Sequence, residues 1–128
     1  MDIDGILIGN DKPCYMIAEI GINHNGDIAL AKKLIDVATN AGANAVKFQK
    51  RDLESIYQQK ILENPSLDSQ GTEILIDVLK NVEFGEDDFQ EIVNYCKEKK
   101  ITFLCTPWDI PSANFLEKLD VPAYKIAS

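Results

Sequence analysis

The chain has 128 residues, of which 45% are apolar and 27% charged, with 13 Lys and Arg against 21 Asp and Glu, the balance of an ordinary globular domain. No run approaches the roughly 20 apolar residues that a membrane span needs, and the start Met1, Asp2, Ile3, Asp4 lacks the basic and apolar regions of a signal peptide, so a cytoplasmic location is the default expectation. The net charge of −8 argues against nucleic-acid binding, and the three cysteines, Cys14, Cys96 and Cys105, form neither a disulfide framework nor a CxxC pair and read as reduced, mostly buried thiols.

In chain order, residues 1–12 read as a small β-hairpin, with Ile6 and Ile8 around Gly5 and Gly9. Residues 14–20 (CYMIAEI) are a short apolar run, as expected for a parallel strand buried on both faces. Asp27 stands as a helix N-cap before Leu30, Leu34, Val37, Ala38 and Ala41 at helical spacing, and Gly42 supplies the stop. Residues 44–49 (NAVKFQ) read as the second strand. The polar stretch from Lys50 to Gly71 is too long for a tight connection, and such loops are usually functional or disordered. Ile74, Leu75, Val78 and Leu79 predict a short helix. A clearer one follows, with Glu86, Asp87 and Asp88 in its first turn, Phe89, Ile92, Val93 and Cys96 as its apolar stripe, and Lys97, Lys99 and Lys100 at its end. Residues 101–105 (ITFLC) read as the third strand, Pro111 opens a helix carrying Phe115, Leu116 and Leu119, and residues 123–127 (AYKIA) read as the fourth strand.

Four strands alternating with helices predict an α/β fold with a parallel sheet, either doubly wound or a piece of a (β/α)8 TIM barrel. Both architectures place chemistry at the carboxyl ends of strands. Each predicted strand ends in polar residues: Glu19 followed by Asn23 and His24, then Lys47 and Gln49, then Thr106, then Lys125 and Ser128. Burying an uncompensated lysine costs several kcal/mol, and a bound anion would supply the missing hydrogen bonds. Simpler readings stand beside this one. Glu19 can be an ion-pair partner of Lys47 inside a structural core, His24 a residue that orders the NHNG loop, Asn23 ordinary turn chemistry, Thr106 a strand terminator, and Trp108 a packing residue or a sugar platform.

Four blocks in order, IAEIGINHNGD at 17–27, AGANAVKFQK at 41–50, FLCTPWD at 103–109 and YKIAS at 124–128, make the chain resemble the sialic acid synthase family from about residue 14 onward. The resemblance implies a TIM barrel with an amino-terminal hairpin that condenses phosphoenolpyruvate with an N-acetylated hexosamine such as N-acetylmannosamine, yielding N-acetylneuraminic acid or a related nonulosonic acid. Relatives make legionaminic or pseudaminic acid or serve spore-coat polysaccharide synthesis. By the same resemblance Lys47, Gln49, Thr106, Lys125 and Ser128 line the phosphoenolpyruvate site, with Lys47 and Lys125 catalytic in offsetting charge as the tetrahedral intermediate forms, Glu19 lies near the amino sugar in a catalytic role, and Asn23 is a substrate contact. A divalent metal, Mn2+ or Mg2+, is implied, but the family's ligands are two histidines on later strands and this chain has only His24, so no metal ligands are expected within it. A complete barrel takes about 250 residues, so the chain reads as the amino-terminal half barrel, with the second half and a carboxyl-terminal antifreeze-like domain absent. The complete protein is expected to be a homodimer. The alternatives are a non-catalytic truncated fragment or phosphate-binding module, and a related barrel enzyme for another keto-deoxy sugar acid.

Overall fold

Alternation along residues 45–50 decides the architecture, because Val46 and Phe48 are apolar and fully buried while Lys47 and Gln49, which alternate with them, are polar. In the computed structural model, which describes residues 1–67 and 73–127, this segment is the central strand of a parallel sheet. The order is β3 (Ile17–Gly21), β4 (Ala45–Lys50), β5 (Thr102–Pro107), each strand beside its predecessor in sequence, as in a run of consecutive barrel strands. The first strand is shorter than its apolar run predicts, since pairing begins only at Ile17.

The hairpin pairs β1 (Asp2–Ile3) with β2 (Ile6–Leu7), and its turn residues Asp4 and Gly5 have φ of 53° and 78°, the conformation that an Asp-Gly hairpin favours. Asp4 accepts a 2.9 Å hydrogen bond from Thr102, which ties the hairpin to the amino-terminal end of the sheet.

Helix α1 (Ile28–Asn40) starts where the Asp27 side chain accepts from the amides of Ala29 and Leu30, and it stops before Gly42, whose φ is +81°. The polar stretch after β4 departs from expectation. It holds α2 (Leu53–Ile56), α3 (Gln59–Glu63) and a 3-10 turn at Pro65–Leu67, each too short to leave a periodic apolar signature. The rest of that stretch, residues 68–71, lies outside the described residues. Helix α4 (Glu73–Val82) buries Ile76, Leu79 and Val82. Helix α5 (Glu86–Lys99) opens with Asp88 accepting from the Gly85 amide at 2.9 Å and buries Phe89, Ile92, Val93 and Cys96. Helix α6 (Ile110–Lys118) is capped by Asp109, with Pro111 in its first turn.

Residues 123–127 do not form the predicted fourth strand; they meet the sheet only through one parallel bridge between Tyr124 and Cys105. Parallel strands are stable when neighbours flank both edges and both faces are covered, and here one edge only is paired and Ile126 is 77% exposed. Of the thiols, Cys96 and Cys105 are buried but Cys14, ahead of β3, is exposed, contrary to the reading of all three as mostly interior.

All five phenylalanines lie in one buried layer between the sheet and the helices. Phe48 packs on Phe103 at 5.6 Å between centroids, and Phe89 meets Phe103 edge-on at 6.4 Å and Phe115 at 5.9 Å. His24 joins this layer. It is 2% exposed, its ring stacks on Phe84 at 4.0 Å, and its Nδ1 accepts from the Gly26 amide at 3.2 Å. The loop-ordering reading of His24 is therefore what the structure shows.

Two outcomes follow from this loop. At Gly26, with φ of +73°, an added Cβ would fall 2.5 Å from the Asn81 carbonyl oxygen, whereas at Gly42, φ +81°, it would meet nothing within 4 Å. Gly42→Ala should therefore cost about 1 kcal/mol of strain alone, and Gly26→Ala about 2–4 kcal/mol, since it adds a clash with backbone. Urea midpoints of the two variants check this, and equal losses would refute the steric reading. Burial also lowers the His24 pKa from 6.5 to about 4. The folded state thus disfavours the imidazolium, so the stability it contributes is complete above pH 6.5 and is lost as pH falls toward 4. Between pH 7.5 and 5 that loss is about 2 kcal/mol. The stability difference between wild type and His24→Phe, measured by urea unfolding across this range, should change by that amount, and pH curves that stay parallel would contradict it.

Candidate functional site

The face of the sheet opposite the phenylalanines carries the polar residues. Register places Glu19 of β3 beside Lys47 of β4, and Gln49 of β4 beside Thr106 of β5. The Lys47 ammonium pairs with the Glu19 carboxylate and donates to Thr106 Oγ1 at 3.3 Å. The ion-pair reading of Glu19 is thus realised, but at a strand end and not inside a core. The Lys47 side chain is only 12% exposed and that of Glu19 is 49% exposed, so a desolvated cation is balanced by a counterion half in water. Water reaches the carboxylate side of this pair and screens it more than it would a fully enclosed pair. An ammonium has three donors, and the third N–H of Lys47 has no acceptor among the described residues.

Gly21 opens the space in front of this pair. The pairing register shifts between Glu19 and Gly21, whose φ is +58°. A Cβ there would sit 3.2 Å from Glu19 Oε1, 3.4 Å from Gln49 Nε2 and 4.0 Å from Asn23 Nδ2. Glycine therefore leaves a recess on which three polar side chains converge. Asn23 stands at its exposed rim, and its amide nitrogen also donates to the Ile20 carbonyl at 2.9 Å, so it holds the turn as well.

Glu19, Lys47, Gln49, Thr106 and Asn23 are brought together. Lys125 is not joined to them: it is exposed and makes no hydrogen bond or ion pair among the described residues, because the strand expected to carry it does not form. Ser128 lies outside the described residues.

The structure adds residues that the sequence reading passed over. Arg51, 9% exposed, follows β4, and its guanidinium donates to Glu83 Oε1 at 3.3 Å and to Gln49 Oε1, while its backbone N–H donates to Glu83 Oε2 at 3.2 Å. The same guanidinium lies 4.3 Å from the Trp108 ring centroid, and the Trp108 amide donates to the Lys50 carbonyl at 3.1 Å. Trp108 thus stacks on an arginine. Burial pushes the Glu83 carboxyl above its ordinary pKa even though Arg51 and Lys50 pull it down. The available signal was the run Gln49, Lys50, Arg51, three consecutive polar side chains that a strand end must turn to alternate faces.

Among the described residues no three His, Cys, Asp or Glu side chains form a group that could hold a metal ion. The imidazole of His24 is committed to Phe84 and Gly26, and burial raises the Cys96 thiol to about 12 and raises Cys105 as well, so neither offers a thiolate. A cavity of about 420 Å3, lined by Asp4, Cys96, Lys100, Thr102 and Leu119 among others, lies at the opposite, amino-terminal end of the strands.

Comparison with known proteins identifies relatives of the chain as a whole. The chain is 39% identical over 126 residues to the N-acetylneuraminate-9-phosphate synthase of Mus musculus, covering 97% of this chain and 35% of that protein. It is 38% identical over 124 residues to the spore coat polysaccharide biosynthesis protein SpsE of Bacillus subtilis, covering 94% of this chain and 32% of that protein. The crystal structure of N-acetylneuraminic acid synthetase from Leptospira borgpetersenii superposes with a TM-score of 0.82 at 34% identity, over 98% of this chain and 40% of that one. The chain thus spans about a third of the length of the curated relatives it matches. Residues 34–128 match the NeuB family, and the chain belongs to that family.

Proposed function

We propose that this chain supplies the phosphoenolpyruvate-binding strands of a (β/α)8 barrel synthase that condenses phosphoenolpyruvate with an N-acetylated hexosamine, giving a nonulosonic acid and inorganic phosphate. The observation that carries this reading is the largely buried Lys47 side chain at a strand end, whose ammonium has a half-exposed counterion and a third N–H with no acceptor among the described residues. Relatives named as synthases of N-acetylneuraminate 9-phosphate, N,N'-diacetyllegionaminic acid and pseudaminic acid support the reaction class.

In that reaction the methylene carbon of the enol attacks the open-chain aldehyde, water adds to the former enol carbon, and phosphate leaves with cleavage of its bond to that carbon. Negative charge on phosphate and carboxylate must be held throughout. Lys47 holds it from β4, Thr106 donates its hydroxyl from β5, and Lys125 and Ser128 complete the site once the segment that carries them is drawn against β5. Glu19, at the exposed side of the recess, faces the amino sugar. The described residues do not fit a divalent metal centre, and the Mn2+ or Mg2+ expected for the complete enzyme takes its ligands from outside this chain. Cytoplasmic location and a homodimer belong to the same proposal.

Because phosphoenolpyruvate contributes the first three carbons of the product, a 9-phosphate arises from a hexosamine phosphorylated at its terminal carbon. N-acetylmannosamine and its 6-phosphate are therefore the acceptors to compare in the complete protein.

In that protein Lys47→Ala and Lys125→Ala should each weaken phosphoenolpyruvate binding by about tenfold or more, as loss of a charged hydrogen bond predicts. Calorimetry checks this, and unchanged affinity in both variants would return the lysines to a structural role. The isolated 128 residues should release no phosphate from phosphoenolpyruvate, N-acetylmannosamine and manganese; appreciable turnover would overturn the reading that further strands are required. Turnover with arabinose 5-phosphate or erythrose 4-phosphate, in place of an amino sugar, would favour a different keto-deoxy acid.

A further inference from the structure

We propose that Arg51 is a positioning residue, which sets the side-chain amide of Gln49 so that its nitrogen faces the anion recess. The inference rests on the reading of that recess as the phosphoenolpyruvate site.

A glutamine amide has one accepting and one donating end, of nearly equal size, and either can be turned toward a ligand by rotation of the terminal torsion. An anion is recognised only by the donating end. In a free side chain the two orientations compete, and the one that shows oxygen to an anion is repulsive. Arg51 settles the choice, because a guanidinium has donors only and the atom of Gln49 that meets it must be the oxygen. The nitrogen is then directed to the other side, where it stands 3.4 Å from the Cβ position that Gly21 leaves empty, next to Glu19. Nε2 donates to no protein acceptor among the described residues.

The guanidinium is itself fixed from several directions. Glu83 takes an N–H of the guanidinium and the Arg51 backbone amide, and Trp108 covers the guanidinium plane. With side-chain exposures of 10% and 12%, the Arg51–Glu83 pair has little water to exchange with, unlike the Lys47–Glu19 pair. Arg51 therefore does not turn toward the ligand; it acts through Gln49.

The test is phosphoenolpyruvate binding to the complete protein, by calorimetry, for wild type, Gln49→Ala, Arg51→Lys and the double variant. Lysine keeps the positive charge beside Glu83, but a single ammonium cannot reproduce the fork that reaches Glu83 and Gln49 together. Gln49→Ala and Arg51→Lys should each weaken binding about tenfold, and the double variant should bind no more weakly than Gln49→Ala. Unchanged affinity in Arg51→Lys, or losses that multiply in the double variant, would overturn the inference. Gln49→Glu gives a second check that leaves Arg51 in place. It keeps an oxygen for Arg51 but turns an oxygen to the recess, so it should bind more weakly than Gln49→Ala, and equal or tighter binding would overturn the orientation proposed. Wild type that fails to bind phosphoenolpyruvate overturns the functional reading and this inference together; wild-type binding with either contrary pattern overturns this inference alone.

Discussion

The two-residue period of β4 is the constraint on which the site depends. Val46 and Phe48 fill the layer between sheet and helices, so Lys47 and Gln49 have only the opposite face to occupy. A slip of one residue would place the Lys47 ammonium against Phe103 and expose Phe48, a change that costs several kcal/mol in burial of an unpaired charge alone. The hydrophobic core thus fixes the register of the polar face. Parallel pairing carries that register to both neighbours, and Glu19 and Thr106 arrive beside Lys47 and Gln49 without further instruction.

Lys47 and Arg51 stand four residues apart, and their surroundings differ. Lys47 is paired with a carboxylate half in water, and its third N–H has no acceptor among the described residues. Arg51 is locked between Glu83, Gln49 and Trp108, and removing either member of a buried pair typically costs 3–5 kcal/mol. One cation has a partner open to water and the other is enclosed by protein. Glu83, which lies between α4 and α5, extends this framework to the connection that follows β4.

How much of this was legible in the sequence depends on whether the determining contact is local. The cap at Asp27, the start of α6 at Pro111, the charge asymmetry of α5 and the alternation of β4 are all set by residues a few positions apart, and each reads directly. The Glu19–Lys47 pair was visible as one of two readings, because strand-end position does not say whether a lysine meets a carboxylate or a ligand. Residues 123–127 have the composition of a strand, but strand formation depends on edges and faces supplied from elsewhere, and only Tyr124 finds a partner. Arg51 escaped notice for a related reason: its partners Glu83 and Trp108 lie 32 and 57 positions away, and nothing in the neighbourhood of Arg51 announces them.

The turn after β3 shows why site and core cannot be separated in this chain. Gly21, Asn23, His24 and Gly26 fall within six consecutive residues, and alternate demands are made on them. Gly21 and Asn23 border the recess, while His24 is stacked under Phe84 and Gly26 is pressed against the Asn81 carbonyl. The backbone in front of Glu19 and Gln49 is therefore held in place from behind, by contacts that never touch a ligand. Charging His24 would place an imidazolium between Phe84 and Phe48, with its Nδ1 no longer able to accept from Gly26. The first structure to loosen would be this turn, and with it the wall of the recess. Acid sensitivity of the fold and loosening of the recess wall are, on this geometry, one event seen from two sides of the same six residues.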